Sequence, residues 1–343
     1  MNRNNNKVNL YIVLIFISIL SFSPLKVFSW GARGHSVICE AAIHGVKNKD
    51  LKNYLLHQTL TLAYLCNIPD TYWRKGPQAE IGSPTHFIEP DLVGGRLEDV
   101  PVKFADYVAK YSNKTNLIKQ SIVFSVPQEL GSSWWRTEQF FNLAIQQKNI
   151  NDMLIYMGIM GHFVGDTAQP LHNTSNYDGW QNNHGGLHSF YENQIVINME
   201  ADLLVKVTNA LVTAEKELKL DKNSPNIVEK MKALSILSFN DLKELFKIDS
   251  KYLIEPSQLK FEKGMDLKTP AKRKDPTIVK NGFEKLVIKH MARAATQLAH
   301  FWDQVYIEAS KKPDSVGLFD SKINRYDFPH TPAFVVPDYL DKK

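Results

Sequence analysis

Three potential metal ligands fall within twelve residues of this chain, in Gly161-His162-Phe163-Val164-Gly165-Asp166-Thr167-Ala168-Gln169-Pro170-Leu171-His172. A histidine and an aspartate four apart lie one helical turn from each other on the same face, close enough to grip one cation. Pro170 cannot continue a helix, so the chain turns there and His172 can return toward the same place from outside. A second pair with the same spacing, His188 and Glu192, follows in Gly186-Leu187-His188-Ser189-Phe190-Tyr191-Glu192-Asn193. Neutral imidazole with carboxylate suits zinc, and a site with three protein ligands leaves a position open for water or substrate. One such pair is an ordinary structural feature. Two pairs and an intervening histidine within 31 residues point to a multi-metal site. His35, His86 and Asp70 are the further candidates.

These side chains need elements to position them. Met153, Leu154, Met157 and Met160 recur at steps of three and four, which predicts a buried helix from Asp152 to about Asp166. The same spacing predicts helices over His35–Val46, Leu51–Leu65, Val102–Tyr111, Trp135–Gln147, Ile227–Leu237, Asn240–Phe246 and Thr277–Ser310, and one running from His188 to about Glu217. Asp70 and His86 fall in irregular segments rich in Gly and Pro, where sites collect. Residues 173–187 read as a polar loop between the two ligand pairs. Pro256–Pro276 reads as an insertion or linker, and its basic run Lys272-Arg273-Lys274 as a solvated face. No strand period is convincing, so the expectation is an all-α protein: one large helical domain with long loops.

Arg3 and Lys7, the uncharged apolar run Val8–Leu20 and the segment Val27-Phe28-Ser29 predict a secretory signal over residues 1–29, cleaved before Trp30. That places the protein outside the cytoplasm, secreted or periplasmic. Cleavage leaves 314 residues and removes Arg3, Lys7 and Lys26, so the formal charge drops from +5 to +2 and bulk charge selects no partner. Two cysteines, Cys39 and Cys66, suit a single disulfide in an exported chain, with two buried thiols as the other reading.

At the level of motifs the chain resembles the secreted zinc phosphodiesterases, which include the fungal and plant single-strand nucleases of the S1/P1 type and the bacterial zinc phospholipases C. The resemblance rests on Trp30-Gly31-Ala32-Arg33-Gly34-His35, Pro84-Thr85-His86-Phe87, Gly161–His172 and His188-Ser189-Phe190-Tyr191-Glu192-Asn193. It implies a helical fold with a trinuclear zinc site in a cleft. One zinc would be held by Asp70, His86, His162 and Asp166, and a second by Trp30, His35 and again Asp166, Trp30 binding through its new α-amino group. His172, His188 and Glu192 would hold the third. It also implies a bridging hydroxide as nucleophile, proton transfer through Asp70, a charge-stabilising role for Arg74, and a disulfide between Cys39 and Cys66.

The likeness divides over the substrate. The opening and the cysteine placement match the nucleases, in which Phe87 and Glu89 would contact a base, whereas Glu192, the run His86-Phe87-Ile88-Glu89-Pro90-Asp91 and Trp302-Asp303 match the phospholipases. Tyr177 and Trp180 are further stacking candidates. The favoured expectation is an enzyme, a single-strand nuclease or 3′-nucleotidase acting on nucleic acid or nucleotides. A phospholipase C reading lipid headgroups is the alternative, and a non-catalytic protein folded by zinc a third. No stable protein partner is expected. The expected domain covers residues 30–312, followed by an extended tail over 313–343.

Overall fold

The computed structural model describes residues 30–310 apart from 75–81, 112, 115–127, 148, 221–225 and 263–264, so the expected signal segment and tail lie outside the described residues. In chain order the helices are α1 (Gly31–Gly45), α2 (Lys49–His57), α3 (Thr59–Leu65), α4 (Ile68–Thr71), α5 (Phe104–Tyr111), α6 (Ser133–Ile145) and α7 (Ile150–Ala168). Then come α8 (Leu187–Ser189), continued by a π-helical turn over Phe190–Ile195, α9 (Leu203–Leu218), α10 (Ile227–Phe239), α11 (Leu242–Ser250) and α12 (Pro276–Ser310). The chain is all-α in architecture, as its periodicities predict.

Helix α7 is the one the others surround. Asn149 caps its start by accepting from the Asp152 amide, and Pro170 follows its end. Nearly every side is buried, which marks a central helix rather than a surface one. It packs against α1, α3, α6, α10 and α12. Close approach to α1 and α3 requires glycine on that face. An added Cβ at Gly161 would overlap Cys39 Sγ, and one at Gly165 would stand 3.0 Å from His35 Nδ1. The Cys39–Cys66 disulfide joins α1 to the end of α3 at this contact, and both sulfurs are buried. On another side, Trp302 Nε1 of α12 donates to the Met157 carbonyl at 3.0 Å.

Three expectations need correction. The helix expected from His188 to Glu217 is broken over residues 198–202, where the Arg33 guanidinium donates to the carbonyls of Val196, Ile197, Met199 and Glu200. Those carbonyls take a side chain from α1 in place of the next helical turn. The segment read as a linker holds strands: β1 (Leu253–Glu255) pairs antiparallel with β4 (Lys272–Arg273), and β2 (Gln258–Glu262) with β3 (Met265–Thr269). Together they form an arm. Within the basic run, only Lys272 and Lys274 are solvated; the side chain of Arg273 is almost wholly buried and paired with Asp249 at 2.8 Å.

Candidate metal centre

The candidate ligands come from separate elements. His35 lies on α1 and His162 and Asp166 on α7, while His172 sits in a 3-10 turn over Pro170–Asn173. His188 lies within α8 and Glu192 in the π-helical turn. Asp70 and His86, expected in loops, sit on the short helix α4 and at the end of a 3-10 turn over Ser83–His86. All eight side chains are buried.

Four of them converge around Asp166. Its Oδ2 is 2.8 Å from His86 Nδ1 and 3.3 Å from His162 Nε2, while its Oδ1 faces His35 Nε2 at 3.4 Å. Asp70 Oδ1 completes the first set, 3.7 Å from His162 Nε2 and 3.9 Å from His86 Nδ1. The two ring nitrogens of His86 and His162 are 3.0 Å apart. Four donors each about 2.0–2.1 Å from one tetrahedral zinc stand about 3.3 Å from each other. The observed separations bracket that value. A second group forms from His172, His188 and Glu192, whose Oε2 is 2.9 Å from His188 Nε2 and 3.7 Å from His172 Nε2.

The histidines are aimed by their other nitrogens. Nδ1 of His162, His172 and His188 meets the carbonyls of Cys66, His86 and Tyr177, each at 2.8 Å. An N–H given to a carbonyl leaves Nε2 as a lone pair pointing into the site, the usual arrangement around a metal. Both ring nitrogens of His35, Nε2 of His172 and Oε1 of Glu192 are buried without a hydrogen bond. Buried polar atoms left without partners are costly unless a cation joins their lone pairs. The residues therefore fit zinc by type, aim and spacing.

Electrostatics agree. Burial penalises the Asp166 charge, but the imidazoles of His162 and His172 outweigh it and hold the carboxyl well below its ordinary value. Glu192, opposed by burial and favoured by His188 and His172, falls to about 2. Burial pushes His86 down to about 4 and, with His162 beside it, lowers His35. Burial opposes protonation of His162 and His188 as well, yet the carboxylates of Asp166 and Asp70 and of Glu192 outweigh it and raise both. Each carboxylate cluster attracts positive charge, and a metal that takes the ring lone pairs displaces those protons.

The remaining candidates line the site. Trp30 is fully buried at the start of α1, its indole donating to the Gly165 carbonyl at 2.7 Å, and it shares a cavity of about 370 Å³ with Asp70. Arg74, part-exposed, reaches Asp70 Oδ1 at 3.2 Å. Phe87 is half-buried, its backbone against Gly131. Glu89 is buried, and desolvation, then the nearby Asp91, raises its carboxyl to about 9. Tyr177 is exposed, with its ring edge-on to His188 at 6.2 Å.

Motif reading missed the supports. Gln169 Nε2 donates to Glu192 Oε2 at 2.9 Å, and Asp178 accepts from the amides of Gly186 and His188. Arg273 holds Asp249, whose other partner is His184 Nδ1 at 2.6 Å, and donates to the carbonyls of His184 and Gly185. Only the turn-forming character of Asp178 in a Gly- and Asn-rich loop could have signalled one of them.

Residues 30–242 match the family model described as S1/P1 Nuclease. Endonuclease 2 of Arabidopsis thaliana is 24% identical over 226 residues, which cover 62% of this chain and 72% of that protein.

Proposed function

The chain belongs to the S1/P1 nuclease family, a family of phosphodiester hydrolases, and from that premise we propose that it is an exported, zinc-dependent single-strand nuclease with 3′-nucleotidase activity. The observation that carries the reading is Asp166, which turns one carboxylate oxygen to His86 and His162 and the other to His35. Asp70, His86, His162 and Asp166 would hold one zinc. Trp30, His35 and Asp166 would hold the second, and His172, His188 and Glu192 the third. Zinc bound there supplies Lewis acidity toward a phosphoryl oxygen and makes a water acidic enough to yield hydroxide near neutral pH.

The protein's own groups do the rest. Asp70 accepts a proton or holds it in place, with the Arg74 guanidinium beside it adding positive charge where the phosphorane is most negative. Phe87 offers a ring face to an unpaired base. Glu89, protonated at neutral pH, donates a hydrogen bond to a base edge where an ionised carboxylate could only accept. Removal of residues 1–29 frees the Trp30 amine, so the working domain starts at Trp30 and extends to about residue 312.

A panel decides it. Mature, zinc-loaded protein is assayed on single-stranded DNA, RNA, a 3′-nucleotide and phosphatidylcholine. Cleavage of the first three is the expected result. Turnover of lipid alone would make the protein a phospholipase, and zinc-dependent folding without turnover would make it a binding protein.

A further inference from the structure

The arm over residues 251–275 carries seven basic and four acidic residues, an excess of three positive charges, whereas the mature chain has only +2 in all. The rest of the mature protein is therefore slightly acidic. Lys260, Lys268, Lys272 and Lys274 are exposed on the arm. Lysines on an edge hairpin can serve merely to block pairing with another sheet. Two observations go further. Leu259 and Leu267 are 56% and 45% exposed on the same hairpin, and Lys268 Nζ lies 5.5 Å over the Trp180 ring.

The root of the arm is fixed to the metal centre. Ala271 donates its amide to the Gly185 carbonyl at 2.9 Å, and Ser257 donates its own to the Asn183 carbonyl at 3.0 Å. Gly185 returns a bond to Ser257 Oγ at 2.9 Å. A Cβ at Gly185 would stand 2.5 Å from the Trp180 ring, so that ring lies flat against the loop. Three residues on is His188, with Tyr177 at its edge. A line of groups thus runs outward from the third ligand set: Tyr177, then Trp180, then Lys268.

We propose that the arm is a docking strip for single-stranded nucleic acid, carrying the strand away from the metal centre with bases on Tyr177 and Trp180 and a phosphate at Lys268, on the hairpin face that Lys268 shares with Leu259. It rests on the nuclease reading and adds that polymer, rather than mononucleotide, is the substrate the protein is shaped for. Aromatic faces interleaved with cations bind unpaired strands without regard to sequence. Leu259, opposite Lys268 in the hairpin register, extends the same face with apolar surface for bases.

The test compares the parent with Lys268→Glu and with Trp180→Ala, both surface changes checked for unaltered Tm. The ratio of kcat/KM on a long single strand to kcat/KM on a 3′-mononucleotide should fall about tenfold, through KM. For Lys268→Glu, the slope of log(kcat/KM) on the strand against log salt should become shallower by about 0.7, the value for one phosphate contact. Equilibrium binding of an uncleavable phosphorothioate strand should weaken in parallel, which reads the arm without turnover. An unchanged ratio, or equal losses on both substrates, overturns the proposal while leaving the nuclease reading intact. Arm-dependent strand binding with no cleavage of any nucleic acid sinks the nuclease reading instead. Loss of binding to phosphatidylserine vesicles with strand binding unchanged would make the arm a membrane contact and overturn the proposal.

Discussion

The two candidate ligand groups are held by different means. Around Asp166, residues as far apart in sequence as His35 and His162 meet because α1, α3 and α7 pack without intervening side chains, and the Cys39–Cys66 disulfide locks that contact. His172, His188 and Glu192 are close in sequence, yet they ride on a 3-10 turn, a single short helical turn and a π-helical turn. Such turns have weaker hydrogen-bond geometry than an α-helix and depend on outside support. The support comes from loop groups, chiefly Asp178 and Gln169, and through Gly185 from the arm. A site can therefore be half set in a rigid core and half suspended from irregular chain, and the two halves should fail separately.

The sharpest division is at the shared carboxylate. Asp166→Asn keeps the shape but removes the charge that faces both His86 and His35, so two of three zincs should be lost together and activity should drop by about a thousandfold or more. Metal analysis of the purified variant checks this, with the third zinc expected to stay. Loss of a single equivalent would dissolve the bridging role. Loss of all three would show that the halves are not independent.

Arg273→Ala attacks the other half from a distance. It strips the guanidinium from Asp249, which is fully buried, and removing one partner of a buried pair typically costs about 3–5 kcal/mol. The loop before His188 loses two carbonyl partners at the same time. Zinc affinity of the third group should fall about 10–100-fold, as for loss of a support behind a ligand. The pair of zincs at Asp166 should be retained. Lys at this position should rescue poorly, because it cannot span both carboxylate oxygens and the carbonyls. Equal weakening of all three sites in a zinc titration would erase the distinction.

How much of this was readable follows the same division. The core half is legible: α7 announces itself through Met153, Met157 and Met160, and His162 and Asp166 declare a shared face by spacing alone. That His35 would stack 3.9 Å from His162 is not in any local pattern, and only the motif resemblance put it in one ligand set with Asp166. The suspended half is less legible. Strands β2 and β3 escape notice because Gln258, Leu259, Lys260, Leu267 and Lys268 are all exposed, so the alternation that marks a half-buried strand is missing. The break before Leu203 is imposed by Arg33, more than 160 positions away. Arg273 looks like any residue of a basic run until Asp249 is found beneath it.

The seam between the halves is the segment from His86 to Glu89. The His86 carbonyl meets His172 Nδ1 at 2.8 Å, Ile88 donates to the His172 carbonyl at 3.0 Å, and Glu89 donates to the Leu130 carbonyl at 2.8 Å. Glu89 is the group here whose titration tests the seam with the least disturbance. Its folded pKa of about 9 lies above the ordinary carboxyl value of 4.5, so between those limits the folded state holds a proton that the unfolded chain has released. Stability is then lost as pH rises through that window, by at most about 1.4 kcal/mol per unit for one group, and the penalty levels off above pH 9. Glu89→Gln removes the ionisation. Its Tm should equal the parent's near pH 4 and exceed it increasingly by pH 8.5, while activity on a 3′-nucleotide changes by less than about tenfold, since the amide still donates and accepts. A variant less stable than the parent at pH 8.5 would mean that Glu89 is ionised and paired, and the seam would belong with the charged core rather than standing as a neutral join between two halves.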